Sequence, residues 1–279
     1  RPMLSLMACK MCSGSFEQAL PAATAIEYFH NFSLIHDDIM DNAPLRRGQA
    51  TVHEKWNQSI GILSGDVLLV KAYAHLAHYE ANLFQTLFKI FNQTAIEVCE
   101  GQQMDMDFEQ RNEVSEAEYM EMIRLKTSVL LGCALQMGGI VGGANQNDAA
   151  LLYTFGEQLG LAFQIQDDLL DLYGQSAEVG KQIGGDVLAN KKTLLSISAK
   201  QAANPTQLEL LQQLEQTLDP DFKVQQTQEL YTVLGAQHYC TQQMQLHHQK
   251  ALNSLEQLEN VGSKIELTEL AEFLFSRTY

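Results

Sequence analysis

The chain has 279 residues, 46% of them apolar, enough to bury a sizeable core in one large domain, residues 1–279. Its 18 basic against 34 acidic residues give a net charge of −16, which excludes a general binder of nucleic acid or of anionic membranes, since both need a basic footprint. An anion bound here must be met at a few concentrated basic positions or through metal ions.

Only five prolines interrupt the chain, and Leu, Ala, Gln, Glu and Met fill the stretches between them, so the sequence predicts an all-α protein. Pro2 suits a helix first turn, and Ser13-Gly14 ends that helix. Pro21 opens the next helix, running to about Asp41. The stretch "NAPLRRGQ" is predicted as loop. Helices follow near 50–58, 60–78 and 82–108. Ser115 and Glu118 form a capping box whose helix should run to the glycines after Val141. Another helix covers about 147–173 and is apolar on nearly all sides, which predicts a central, buried position. Residues 173–191 are Gly-rich and read as a long functional loop, and shorter helices fill 193–276.

The cysteines at 9, 12, 99, 133 and 240 are odd in number and scattered, as free thiols in a reducing compartment would be, and the expected compartment is the cytoplasm. Cys9 and Cys12 form a CxxC with no second pair to complete a zinc site. No run of about 18 uncharged apolar residues occurs, so no stable membrane insertion is expected. The chain begins "RPML", without Met, and is expected to start inside a larger protein.

Two acidic clusters organise the reading. "HDDIMD" supplies Asp37, Asp38 and Asp41, and "QDDLLD" supplies Asp167, Asp168 and Asp171. Each has the form D-D-x-x-D and each follows a long apolar helical run. Positions i and i+4 share a helix face, so Asp37 points with Asp41 and Asp167 with Asp171. Like charges at that spacing repel unless a cation neutralises them. The ligands are hard oxygens without a His or Cys cluster, a donor set that selects Mg²⁺ over zinc. Arg46 and Arg47 follow the first cluster, Lys181 and Lys191 the second. The two clusters are expected to act as facing jaws on a metal-bound phosphate.

These residues resemble the trans-isoprenyl diphosphate synthases, the farnesyl and geranylgeranyl diphosphate synthases among them. The resemblance runs along the whole chain. It begins at "RP", the end of the family's G-K-x-x-R-P motif, whose Lys would precede Arg1. It continues through "LIHDDIMDNAPLRRGQATVH", "GD" at 65–66, "EGQQMD" at 100–105, "KTS" at 126–128, "FQIQDDLLD" and "GKQIGGDVLANKKT". The resemblance implies a bundle of mainly antiparallel helices around a deep central cavity, usually a homodimer. It implies Mg-assisted ionisation of an allylic diphosphate, attack by the double bond of isopentenyl diphosphate, and proton loss. About three Mg²⁺ ions are implied, with Asp37, Asp41 and Asp167 as direct ligands. Asp38 and Asp171 are implied as supporting members, Asp168 and Asp171 acting through water. Arg46, Lys126, Lys181 and Lys191 resemble the residues that hold the allylic diphosphate, and Arg1, His30 and Arg47 those that hold isopentenyl diphosphate. Thr127 and Gln164 resemble residues lining the reacting centre, where their oxygens and the carbonyl of Lys126 stabilise the allylic cation.

Side chains before the first cluster resemble the family's cavity floor. Phe32 lies five positions before Asp37 and Ser33 four, with Tyr28 and Phe29 deeper. Five helical residues span roughly 7–8 Å, and one turn is close to one isoprene unit. The expected product is short, C15 to C20, with C20 favoured. A class I terpene cyclase would carry N-x-x-x-S/T-x-x-x-E as its second motif, and Asp171 with "GKQIGGD" opposes that reading. A non-catalytic subunit of a heteromeric synthase would lack the aspartates, which are all present here.

Overall fold

A computed structural model of the chain describes residues 1–174 and 183–276. Helices dominate it. Their order is α1 (Pro2–Ser13), α2 (Leu20–Met40), a two-strand hairpin of β1 (Leu45–Arg46) and β2 (Gln49–Ala50), α3 (Val52–Lys55), α4 (Gln58–Leu76) and α5 (Ala81–Glu109). Then come α6 (Glu116–Ile123), a π-helical turn (Arg124–Ser128), α7 (Val129–Val141) and α8 (Gln146–Tyr173). The chain continues with α9 (Gly185–Leu188), α10 (Leu194–Ala202), α11 (Pro205–Glu215), α12 (Pro220–Val233), α13 (Ala236–Glu256) and α14 (Ile265–Phe275).

Most of these boundaries follow from local chemistry. Pro2 sits in the first turn of α1, and Gly14 caps it in the left-handed conformation at φ 79°. The Ser115–Glu118 box forms with both of its reciprocal hydrogen bonds. Three expectations need correction. "NAPLRRGQ" contains the hairpin: Arg47 at φ 52° and Gly48 at φ 75° make a two-residue turn of the left-handed kind that matches strand twist. The helix expected from Ser115 to Val141 is broken by the π turn. Within 173–191, Gly185–Leu188 form a short helix rather than loop.

Contacts divide the chain into two compact units. The first comprises Arg1–Cys99, Val129–Glu157 and Asn253–Thr268; there α2 packs chiefly on α4 and α1 on α7. The second comprises Glu100–Ser128, Gln158–Leu252 and Glu269–Tyr279. Its core gathers Tyr119, Ile165, Leu172, Leu194, Leu195 and Cys240, each at most 2% exposed. Gln58–Leu76 is the one helix among the described residues long and apolar enough to cross a membrane; 22% of it is buried, and it carries Asp66 and Lys71.

Candidate active site

In the first unit, α2 delivers Asp37 and Asp38 in its last turn and ends on Asp41 as its C-cap. The negative end of the helix dipole lies here, so three carboxylates in this position need compensation. Arg46 provides it. The hairpin turns the chain back so that Arg46 Nε donates to Asp38 Oδ1 at 2.7 Å and Nη2 to Asp37 Oδ2 at 3.0 Å. Asp38 is the buried member, at 4% exposure. Burial pushes its carboxyl up, and the bond and charge of Arg46 pull it back down. The guanidinium of Arg46, expected on the allylic diphosphate, spans two carboxylates here.

The same unit holds a second charged group. Arg1 Nη1 donates to His30 Nε2 at 2.9 Å. Arginine has only donors, so His30 must accept at Nε2 and carry its proton on Nδ1. Burial lowers the His30 pKa to about 3, helped by the positive charges of Arg1, Arg47 and Arg46. A neutral histidine thus sits among arginine charges, and the buried Nε of Arg1 has no hydrogen-bond partner. Positive potential with an unanswered donor is what an incoming anion would use.

Along α2 toward its N-terminus the side chains are aromatic. Phe32 stacks edge-on against His36 at 4.8 Å and tilts against Phe29 at 5.5 Å. Phe29 is fully buried and meets Phe91 edge-on at 5.4 Å. Tyr28 faces His75 at 5.2 Å, and Ser33 Oγ donates back to His30 O.

In the second unit, the π turn, α8 and the α9 segment surround a cavity of about 620 Å³, within the range of small-molecule sites. Lys126, Thr127, Gln164, Asp168 and Lys191 all line it. Lys126 Nζ donates to Asp105 Oδ2 at 2.6 Å. Thr127 Oγ1 donates to Gln164 Oε1 at 3.4 Å, and Gln164 Nε2 to Asp168 Oδ1 at 3.2 Å. Tyr119 Oη donates to Asp168 Oδ2 in a short bond. Burial raises the Asp168 carboxyl to about 8; the charges of Asp186 and Asp167 push the same way, against the hydrogen bonds from Tyr119 and Gln164.

Asp167 and Asp171 are half-buried at the end of α8. Asp171 Oδ2 accepts from the backbone N–H of Asp186 at 3.0 Å. Lys191 is 3.8 Å from Asp186, at the end of the same segment. Lys181 falls outside the described residues.

No group of three His, Cys, Asp or Glu converges as a self-sufficient metal site among the described residues. The donors nevertheless fit a hard cation. They are carboxylate oxygens, and beside burial, the main cause of the raised Asp168 carboxyl, the charges of Asp186 and Asp167 add a repulsion that a cation would relieve. Sequence reasoning passed over four residues. Asp105 and Asp186 lie inside motifs it quoted, "EGQQMD" and "GKQIGGD", and their acidity was the available signal. Tyr119 carries no signal in the sequence. Gly101 sits against Lys126, and a glycine beside an acid-rich run gives no hint of that contact.

Comparison with known proteins covers both groups of residues. The polyprenyl synthetase family model matches residues 1–234. A geranylgeranyl diphosphate synthase of Methanosarcina mazei is 36% identical over 281 residues, covering 100% of this chain and 85% of its own. A geranylfarnesyl diphosphate synthase of Natronomonas pharaonis is 41% identical over 189 residues, 67% of this chain and 55% of its own. A crystal structure of geranylgeranyl pyrophosphate synthase superposes with a TM-score of 0.94 at 42% identity, covering 100% of this chain and 87% of that one. With the model spanning most of the chain, and that structure sharing the all-α isoprenyl synthase fold throughout, this chain belongs to the polyprenyl synthetase family of prenyltransferases.

Proposed function

We propose that this prenyltransferase condenses isopentenyl diphosphate with an allylic diphosphate (dimethylallyl, geranyl or farnesyl). The product proposed is a C15–C20 prenyl diphosphate, geranylgeranyl diphosphate ahead of farnesyl diphosphate. The observation that carries the reading is the cavity of the second unit, where Lys126, Thr127, Gln164 and Lys191 surround the buried Asp168. The names of the relatives support a product of about this length.

Lys126, Lys191, Lys181 and Arg46 hold the allylic diphosphate. Arg1 and Arg47 hold isopentenyl diphosphate, with neutral His30 orienting the Arg1 guanidinium through the 2.9 Å bond. The oxygens of Thr127 and Gln164 and the carbonyl of Lys126 face the carbon that becomes electron-poor. The allylic C–O bond breaks and its electron pair leaves with diphosphate. The double bond of isopentenyl diphosphate supplies the pair for the new C–C bond, and loss of a proton restores an alkene. Asp37, Asp41, Asp167 and Asp171 would hold Mg²⁺, about three ions with the substrate as the family resemblance implies. When bound there, Mg²⁺ would supply charge neutralisation for the leaving diphosphate, the usual largest contribution in such catalysis.

The whole chain is proposed to work as one polyprenyl synthetase domain, in the cytoplasm, as a homodimer. The apolar face of α4 supports the dimer: Leu63, Val67 and Val70 are 64%, 52% and 69% exposed. Incubation with isopentenyl diphosphate, Mg²⁺ and each of the C5, C10 and C15 allylic diphosphates, followed by chromatographic sizing, tests the reaction. A C20 product is expected, and no condensation with any starter would sink the proposal. Phe32 is proposed as the floor of the tail channel. Phe32→Ala is expected to lengthen the product by about one isoprene unit, one helical turn being about 5.4 Å; an unchanged product removes Phe32 from that role.

A further inference from the structure

The π turn is the least regular part of the second unit, and two helices hold it in the same way. On α5, a Cβ added at Gly101 would stand 2.3 Å from the backbone nitrogen of Lys126, 2.7 Å from its Cα and 2.8 Å from the carbonyl carbon of Leu125. Four residues on, the same face of α5 carries Asp105, which accepts from Lys126 Nζ at 2.6 Å. So α5 grips Lys126 at both ends, backbone and ammonium.

On α8, a Cβ added at Gly160 would stand 2.7 Å from Ser128 Cα and 2.8 Å from both Ser128 Cβ and Oγ. Four residues on, Gln164 accepts from Thr127 Oγ1. Each helix therefore offers a bare glycine to the backbone of the turn. One turn later each offers a polar side chain to the turn's side chains. Ser128 Oγ adds an internal tie to Ile123 O at 3.3 Å, across the widened turn.

A π turn costs regular hydrogen bonding and persists where its surroundings fix it, often at functional sites. We infer that Gly101 and Gly160 are positioning residues: their missing side chains seat the Arg124–Ser128 turn so that Lys126 and Thr127 project into the cavity before substrate arrives. This rests on the roles assigned above to Lys126 and Thr127. Neither glycine touches substrate; each acts through the turn.

The contacts at Gly101 are all to backbone, so no rotamer change relieves them. Gly101→Ala must drive the turn and α5 apart by about 0.7 Å to restore a tolerable 3.0 Å separation. A displacement of about 1 Å near reacting groups costs up to about 100-fold in rate. The expected result for folded Gly101→Ala is a kcat lowered roughly 10- to 100-fold and a raised KM for the allylic substrate. The KM for isopentenyl diphosphate should stay within about twofold, because Arg1, His30 and Arg47 belong to the first unit and the turn to the second. Gly160→Ala should move in the same direction by less, since its closest contact, Ser128 Cα at 2.7 Å, needs only about 0.3 Å of relief to reach 3.0 Å, against about 0.7 Å at Gly101.

A folded Gly101→Ala enzyme with unchanged kcat and allylic KM would overturn the inference. So would a loss shared equally by both substrates and tracking a lower Tm. Hydrogen exchange on the unsubstituted protein decides the matter if the variants do not fold. Amides 124–128 should be as protected in the free protein as with Mg²⁺ and inorganic diphosphate present. Free exchange that stops only on adding that ligand would show the glycines do not hold the turn. If the unsubstituted protein fails to condense any substrate pair, the functional reading falls, and the exchange experiment still tests the seating of the turn.

Discussion

The two D-D-x-x-D clusters share a spelling and a position at the end of a long helix, yet they settle their charge by different means. In both, the second aspartate is the buried one: Asp38 at 4% exposure and Asp168 at 7%. Asp38 is answered by a full positive charge, one arm of the Arg46 guanidinium, whose other arm reaches Asp37. Among the described residues Asp168 is met by neutral donors, the Tyr119 hydroxyl and the Gln164 amide, and its carboxyl rises to about 8. The outer aspartates, Asp37, Asp41, Asp167 and Asp171, are less buried in both clusters. The repeated motif thus divides into a buried middle carboxyl and a more exposed outer pair, of which Asp37 also takes one arm of Arg46 and Asp171 the Asp186 N–H; the outer pair is the one proposed above to carry the cation. A helical i, i+4 argument selects the same outer pair.

The largest effect that would break this division is on catalysis. Asp37→Ala and Asp167→Ala each remove an outer carboxylate, and each is expected to lower kcat by about 10²–10³-fold, the scale of losing one preorganised electrostatic group. Incorporation of labelled isopentenyl diphosphate measures it. Asp38→Asn should cost less than either, because Asn keeps an acceptor for Arg46 Nε. A larger loss at Asp38 than at Asp37 would mean the middle residue is a ligand after all.

Much of the fold was readable from such local rules, and the departures share one cause. Prolines 2, 205 and 220 open helices where their fixed φ predicts, and the capping box at Ser115 forms as written. The π turn was unreadable because its five residues, Arg124–Ser128, keep helical composition; the glycines that pack against it, Gly101 and Gly160, are distant in sequence. The hairpin at Arg46 was hidden in the same way, since Arg-Gly is a weaker turn signal than Asn-Gly. Arg1 and His30 were each singled out, but only folding pairs them at 2.9 Å.

Stability sharpens the contrast between the clusters. Arg46→Ala strands the buried Asp38 carboxylate. Arg46 is itself 36% exposed, so solvent softens the loss to about 1–3 kcal/mol, read by urea melts. Tyr119→Phe removes one donor from Asp168, which can answer by keeping its proton. A loss of about 1–2 kcal/mol is expected, smaller than for Arg46→Ala. The reverse order would mean that Asp168 is held ionised.

A smaller effect tests the scaffold behind the second cluster. Lys223 is 5% exposed and donates to Asn190 Oδ1 at 2.8 Å, Glu215 O at 3.1 Å and Leu188 O at 3.5 Å. It ties α9, which carries Asp186, to the end of α11. Lys223→Met keeps the stem and removes the donors. An expected cost of about 1–2 kcal/mol should come with a few-fold higher KM for the allylic substrate, since Lys191 ends the same segment. Unchanged kinetics would show that the segment is held by its other bonds.

The finest difference lies in pH. Asp168 has its folded pKa raised from 3.8 to about 8, first by burial and then by Asp186 and Asp167. A raised carboxyl binds its proton more tightly folded than unfolded. Its stabilising share is therefore complete below about pH 4 and drains away as pH climbs to about 8. Asp38 is also raised, but Arg46 offsets that shift, so the first cluster adds less to the slope. In chelator-treated protein, Tm should fall between pH 5 and pH 8, and Asp168→Asn should flatten the fall because an amide does not titrate. Saturating Mg²⁺ should flatten it too, since a cation at the cluster favours the ionised carboxyl and draws its pKa down. A slope that survives Asp168→Asn unchanged would place the titrating group elsewhere and leave the two clusters alike in charge.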